Sequence, residues 1–223
     1  MNTQRQAFLL VGSLKGPKST SDFLGAYLLN MLRGKGFKTE KMYINSLFES
    51  ANKRDKFLAC LDDSEVVIFS SPLYIDCEPY LLIKSMETIL EHRKNNKGIK
   101  KPRLLVISNG GYPEAQHNDT VIPIYRNFAI ESGFEWMGGL ALGMGAAISV
   151  PILRKADLIL GNVKKSLEIT AEAISDCKPI PNRAIDLMSR PLVPVWFYSF
   201  VARSIARFFS ITNRAWNIYN RPY

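Results

Sequence analysis

Short apolar runs punctuate this chain, each followed by a polar loop and then a stretch with helical spacing. Residues 7–11 (AFLLV) make a compact apolar run closed by Gly12, which suits a strand buried on both faces of a parallel sheet. Ser19, Thr20, Ser21 and Asp22 then offer N-cap side chains ahead of Phe23, Leu24, Tyr27, Leu28, Met31 and Leu32. Their spacing predicts a helix closed by Gly34 and Gly36. Residues 37–44 alternate enough to predict a second strand, residues 53–61 a charged helix, and residues 66–69 (VVIF) a third strand. A helix over 80–94, a solvated run over 93–101, a strand at 104–107 (LLVI), a helix at 121–131 and a strand at 135–142 come next. Ala156, Ile159, Leu160, Val163, Leu167, Thr170, Ala171 and Ile174 mark a long amphipathic helix.

Five strands alternating with helices predict a doubly wound α/β sheet. Right-handed crossovers leave few topologies, and the Rossmann and flavodoxin strand orders both satisfy them. A length of 223 residues allows one such domain plus an appendage, and 47% apolar with 22% charged residues argues against a disordered chain. No internal repeat is visible.

In sheets of this kind ligands bind beyond the carboxyl ends of the strands, which singles out three loops. After the first strand come Gly12, Ser13, Leu14, Lys15, Gly16, Pro17, Lys18, Ser19, Thr20 and Ser21. There a helix N-terminus, several hydroxyls and two lysines suit an anion such as phosphate. The spacing is neither that of a Walker loop nor G-x-G-x-x-G, which counts against nucleoside triphosphate hydrolysis and the usual dinucleotide mode; a serine-rich cap without ligand is the plain alternative. After the third strand, SSPLYIDCEP offers Pro72, Leu73 and Tyr74, an apolar edge on which a planar ring could stack, or a tyrosine that packs beneath the next helix. After the fourth strand, Ser108, Asn109, Gly110, Gly111 and Tyr112 let the backbone approach a ligand closely. The G-x-G of Gly143 and Gly145 is too short to read as a nucleotide site.

Three widely spaced cysteines, Cys60, Cys77 and Cys177, support neither a zinc site nor an iron–sulfur cluster and read as free thiols of a reducing cytoplasm. Cys77 is expected as a packed thiol, and His92 and His117 as solvated side chains. The five-residue apolar run near the start is too short for a signal-peptide core, and no apolar segment is long enough to span a bilayer. These features predict a cytoplasmic protein.

The net charge of +9 is unevenly placed: residues 181–223 hold six arginines against the single acid Asp186, with nine aromatics and no lysine or glutamate. No basic stripe interleaves with a nucleic-acid reading motif, so no nucleic acid is expected. A helix over 195–216 would set Arg203, Arg207 and Arg214 on one face, with Val201, Ile205, Phe208 and Trp216 roughly opposite. Such a helix either packs on its own domain or a neighbouring subunit, or lies on an anionic membrane as a peripheral contact.

The loop residues resemble those of the flavodoxin-like NAD(P)H-dependent FMN reductases and their iron–sulfur flavoprotein relatives. Gly12-Ser13-Leu14-Lys15 with Ser19-Thr20 matches the first-loop pattern, and Ser71-Pro72-Leu73-Tyr74 the S-P-[VL]-Y located after the third strand. Asn109-Gly110-Gly111 matches the small loop after the fourth. The resemblance covers roughly the first four fifths of the chain, a domain-sized span. The change of composition marks a helical C-terminal extension over 181–223; the resemblance implies a five-stranded parallel sheet of order 2-1-3-4-5 and a domain over residues 1–180. It implies FMN held at its phosphate by Ser13, Lys15, Ser19, Thr20 and Ser21. Pro72, Leu73, Tyr74 and Ile75 would line the ring, and Asn109, Gly110 and Gly111 would meet its other edge. NADH or NADPH would be the electron donor, a small-molecule or quinone-like compound the acceptor, and a homodimer or higher homo-oligomer the assembly. The cluster-binding cysteine motif of the iron–sulfur relatives is absent, and Asp76, Cys77 and Glu78 depart from the family. No protein side chain is required as a catalytic acid or nucleophile, because the flavin would carry the chemistry. A flavodoxin-like electron carrier or sensor, and a scaffold that has lost FMN, are the alternatives.

Overall fold

All five expected strands are present in the computed structural model, which describes residues 4–95, 100–148 and 157–212. Ala156, Arg214, Trp216 and residues 96–99 of the expected solvated run lie outside the described residues. The strands are β1 (Gln6–Val11), β2 (Lys38–Tyr43), β3 (Val66–Pro72), β4 (Arg103–Asn109) and β5 (Glu135–Leu142). They form one all-parallel sheet in the order β2-β1-β3-β4-β5, the flavodoxin-like order. The order reverses between β1 and β3, so the loops leaving those two strands face each other across the switch point.

The helices are α1 (Thr20–Gly34), α2 (Ile44–Leu47), α3 (Ala51–Asp63), α4 (Tyr80–Asn95), α5 (Val121–Glu131), α6 (Gly145–Ile148), α7 (Asp157–Ser175), α8 (Asn182–Ser189) and α9 (Val195–Thr212). Alternating side chains of β1, β3 and β4 point to opposite faces, and both faces are covered. Leu9, Val11, Ile68, Leu105 and Ile107 pack beneath Leu24, Leu28, Leu160, Val163 and Leu167 of α1 and α7. Phe8, Leu10, Val67, Phe69 and Val106 pack beneath Phe57, Leu82, Ile89, Tyr125 and Phe128 of α3, α4 and α5.

Two departures from the sequence expectation have clear causes. β3 continues past Phe69 through Ser70, Ser71 and Pro72, which pair with Ile107, Ser108 and Asn109. Buried serines are tolerable there because the Ser70 hydroxyl donates to the Ser21 carbonyl at 2.8 Å and the Ser108 hydroxyl to Asn118 Oδ1 at 2.8 Å. The short α8 was not anticipated. It buries Ala184 and Met188 in the core shared by α1 and α7, and the Ser166 hydroxyl donates to the Ala184 carbonyl at 2.6 Å. Packing therefore continues across residue 180.

His92 is not simply solvated: its Nε2 lies 2.6 Å from Asp62 Oδ2, and the neighbouring Arg93 also pairs with Asp62 at 3.3 Å. At the amino-terminal edge of the sheet, away from the three loops, Glu65 is clamped by Arg5 at 2.8 Å and by Arg103. The hydrogen bond from Arg5 holds its carboxyl below the usual range.

Phe69 anchors the second core, its ring 6.2 Å from Tyr125 and 6.0 Å from Phe128. Phe69→Ala should destabilise the fold by about 3–5 kcal/mol, seen as a lowered midpoint in urea unfolding; a loss under about 1 kcal/mol would contradict the packing described.

Candidate functional site

Three parallel strands end side by side at one edge, and the segments that leave them form a single cleft. Its polar part, a cavity of about 230 Å³, is bounded by Ser13, Lys15, Ser19, Thr20 and Ser21 on one side and Pro72, Leu73 and Tyr74 on the other. Asn109, Gly110, Gly111 and Gly145 close it. A larger apolar part, about 660 Å³, shares Leu73, Tyr74, Gly110 and Gly111 with it. That part runs on past Ile75, Tyr112 and Pro113 to Tyr198, Ala202 and Arg203 of α9. All twelve residues marked by the sequence thus line one continuous cleft. Those of the first loop sit at its polar end, and Ile75 borders its apolar end.

The polar end is the N-terminus of α1. Ser19 caps the helix by accepting from the Asp22 N–H at 3.0 Å, while its hydroxyl donates to the Gly16 carbonyl at 2.8 Å. The Thr20 hydroxyl donates to the Gly145 carbonyl at 2.7 Å. These two hydroxyl protons, expected from the sequence to face an anion, are committed to the backbone. What the helix start offers instead are the N–H groups of Thr20 and Ser21, which have no intrahelical acceptor, with Lys15 exposed at the rim. Asp22 stands at the same helix start, but Lys41 Nζ lies 2.7 Å and the Tyr43 hydroxyl 3.0 Å from its carboxylate, offsetting its charge.

Asn109 ties the three loops together. Its side-chain amide donates to Ser21 Oγ at 3.0 Å and to the Ser71 carbonyl at 2.8 Å. Its carbonyl accepts from the Leu73 N–H at 2.9 Å. The pair Gly143 and Gly145, too short to carry meaning in the sequence, belongs to this arrangement. A Cβ on Gly145 would come within 2.9 Å of Asn109 Oδ1, and one on Gly143 would collide with the Pro113 carbonyl. Only glycine lets this segment close the floor of the cleft.

Between Leu73 and Pro79 the chain makes a tight reversal. Tyr74 N–H donates to the Cys77 carbonyl at 2.9 Å and Cys77 N–H returns to the Tyr74 carbonyl at 3.2 Å. Ile75 and Asp76 both adopt left-handed conformations, φ 48° and 60°. Two consecutive left-handed residues define a type I′ turn, and a β-branched side chain there is strained by about 1–3 kcal/mol. Ile75 is nonetheless 91% exposed. Cys77, expected as a packed thiol, is also exposed, because the turn carries it outward. Tyr74 and Tyr112 are half-exposed walls of the cleft, and Tyr112 stacks on His117 at 4.6 Å between ring centroids.

Glu78, marked in the sequence only as a departure from the family pattern, is 6% exposed beneath this turn. Neither of its oxygens makes a hydrogen bond of ordinary geometry, and the same holds for the fully buried Tyr125 hydroxyl. Burial pushes the Glu78 carboxyl up to about 7, an effect that the facing Ser71 and Tyr125 hydroxyls only partly offset. Burial likewise raises the Tyr125 phenol well above its usual value. α9 contributes a further wall: of the placements the sequence left open, it packs on its own domain. The Tyr198 hydroxyl donates to the Gly111 carbonyl at 2.7 Å and fixes the helix against the glycine loop.

No protein-family model matches the chain, and no curated protein is significantly similar to it. Solved structures do resemble it. An NADH:FMN oxidoreductase in its apo form superposes with a TM-score of 0.60 at 14% identity, over 85% of this chain and 96% of that one. A flavone reductase superposes with a TM-score of 0.55 at 14% identity over 79% of this chain, which spans 65% of that protein's length. A flavodoxin from Streptococcus pneumoniae TIGR4 gives 0.54 at 14% identity, over 77% and 99%. These likenesses show the flavodoxin-like fold.

The Glu78 site makes a pH prediction. The native carboxyl holds its proton up to about pH 7, against 4.5 ordinarily, so folding stability is undiminished below about pH 4.5 and falls as pH rises toward 7. Above that the full cost, about 3 kcal/mol, is present. Urea unfolding from pH 5 to 8 should show Glu78→Gln progressively more stable relative to the native sequence as pH rises. Parallel pH profiles for the two proteins would count against a buried carboxyl.

Proposed function

We propose that this protein is an FMN-binding oxidoreductase that takes electrons from NADH or NADPH and passes them to a small-molecule or quinone-like acceptor. The observation that carries the reading is the shape of the cleft. An anion-seeking helix start opens directly into an apolar slot with tyrosine walls, at the switch point of a parallel sheet. Its larger part falls within the range of about 300–1,000 Å³ usual for small-molecule sites. The residues present fit the group: the start of α1, with Lys15 beside it, lines the polar end of the cleft and favours an anion such as phosphate, and the apolar end is walled by Leu73, Tyr74 and Tyr112 as a planar ring requires.

In this reading the N–H groups of Thr20 and Ser21 hold the phosphate, with Lys15 adding charge and Ser13 a buried hydroxyl beside it. Ser19 acts through its cap, which aims those N–H groups. Pro72, Leu73, Tyr74 and Ile75 face one side of the ring, and Asn109, Gly110 and Gly111 meet its other edge. When bound, the flavin supplies hydride and single-electron transfer; the chain's own residues position it and screen it from water. Tyr112, Pro113 and the α9 residues Tyr198 and Ala202 bound the space left for a second substrate. One of the structurally similar proteins, the NADH:FMN oxidoreductase, is named for this same chemistry.

Fluorescence titration of the protein with FMN and with riboflavin, which lacks the phosphate, tests this directly. FMN should bind at least tenfold more tightly than riboflavin. Lys15→Gln should weaken FMN by about fivefold while leaving riboflavin unchanged, the effect expected of one rim charge near a phosphate. Anaerobic addition of NADH or NADPH should then bleach the bound flavin. A protein that takes up no FMN would refute the proposal, and one that binds FMN but resists bleaching by both nucleotides would reduce it to an electron carrier.

A further inference from the structure

α9 is an 18-residue helix held to the domain along one narrow side. Tyr198, Ser199 and Ala202 face the cleft, and Tyr198 supplies the hydrogen bond to Gly111. The outer side is exposed, and Arg203 stands at its border, where it also lines the cavity. Trp196, Phe200, Arg203 and Arg207 succeed one another at i, i+4, i+7 and i+11, a single stripe along the helix. Trp196 is 73% and Phe200 66% exposed, Phe197 and Val201 run beside them and are exposed too, and both arginines are exposed. The exposed aromatic rings at one end of the stripe leave apolar surface facing water, and two guanidinium groups stand at the other end.

We propose that this stripe seats the protein on the surface of an anionic lipid bilayer. Aromatic side chains settle among headgroups because one surface is apolar and the other tolerates water. Guanidinium groups on the same stripe meet lipid phosphates. A second copy of this helix is the simplest competitor. Residues 187–223 hold Arg190, Arg203, Arg207, Arg214 and Arg221 and no acid, so two such segments paired in parallel would bring like charges together with no counter-charge, whereas an anionic surface supplies counter-charge to both arginines of the stripe. No helix among the described residues, α9 included, is long and apolar enough to cross a membrane. α9 lies in the interface, as helices rich in basic and aromatic residues do. Ile75, the strained and exposed tip of the turn at residues 74–77, lines the same cavity as Ser199, Ala202 and Arg203. Turn and helix are thus neighbours, and the cleft opens beside the surface that lipid would cover. The inference is independent of what the cleft binds.

Co-sedimentation of the full chain with phosphatidylglycerol–phosphatidylcholine vesicles, and with phosphatidylcholine alone, is the test. Binding is expected with the anionic vesicles, at least tenfold weaker with the neutral ones, and reduced by 1 M salt. Trp196→Ser/Phe200→Ser should lower it at least tenfold, and Arg207→Gln, which removes one exposed charge, by about fivefold. Circular dichroism checks that both variants keep the fold, and light scattering reports oligomeric state without vesicles. Equal recovery in the supernatant with and without anionic vesicles overturns the proposal. So does binding that the aromatic variant leaves intact, or a dimer that the aromatic variant dissolves in a protein with no vesicle affinity.

Discussion

The side-chain amide of Asn109 is the constraint on which the rest of the cleft depends. A parallel sheet sends its successive loops to one edge, but nothing in the sheet itself fixes how those loops sit relative to one another. Here one buried amide does so, bonding Ser21 at the start of α1 and the Ser71 carbonyl at the end of β3, while its own residue ends β4. The bonds are made in a dry setting, where an unpaired polar group would cost about 1–3 kcal/mol, so the three loops are held in one arrangement. Gly145 completes the knot by passing close enough to touch the same side chain.

Against that fixed frame, the segment between Leu73 and Pro79 is where stability is given up. It is anchored at one end by the Leu73 N–H on Asn109 and at the other by buried Pro79. Within that short span it holds two left-handed non-glycine residues and a buried acid with no hydrogen bond of ordinary geometry. Local strain and an unsatisfied carboxyl persist only where surrounding structure over-determines them, and they collect at sites that bind or react. The turn pushes Ile75 and Cys77 outward and Glu78 inward, so a one-residue change of register would exchange a solvent-facing side chain for a buried one.

Strand positions were legible because β1, β3 and β4 are apolar runs ended by glycine, serine or asparagine, a pattern that sheet burial on both faces demands. The cleft residues were legible for the same reason, since they come directly after those runs. What the sequence could not convey depended on long-range partners. Ser19 and Thr20 read as donors for an anion, and their protons go to the carbonyls of Gly16 and Gly145, the second of them 125 residues away. Nothing local marks Glu78 as buried, because its burial depends on Tyr125 from α5 lying beneath it. The pair Gly143 and Gly145 reads as a spacer because its need for glycine comes from the carbonyl of Pro113 and the side chain of Asn109. For α9, composition announced a basic, aromatic helix, but only the Tyr198 bond to Gly111 says which side it turns to the domain.

That last contact joins two features that are otherwise far apart in the sequence. α9 forms a wall of the apolar cavity through Tyr198, Ser199 and Ala202, and the Tyr198 hydroxyl joins it to the Gly111 carbonyl. Anything that covers the outer aromatic stripe and binds it better with α9 seated than unseated favours the seated state by that difference. The wall of the apolar cavity is then most firmly set when the outer face is covered, and by reciprocity a molecule that fills the cavity and touches Tyr198 strengthens the hold of whatever covers the stripe. Occupancy of the cleft and coverage of α9 are in this way two sides of one equilibrium, carried by a single helix and the phenol that pins it.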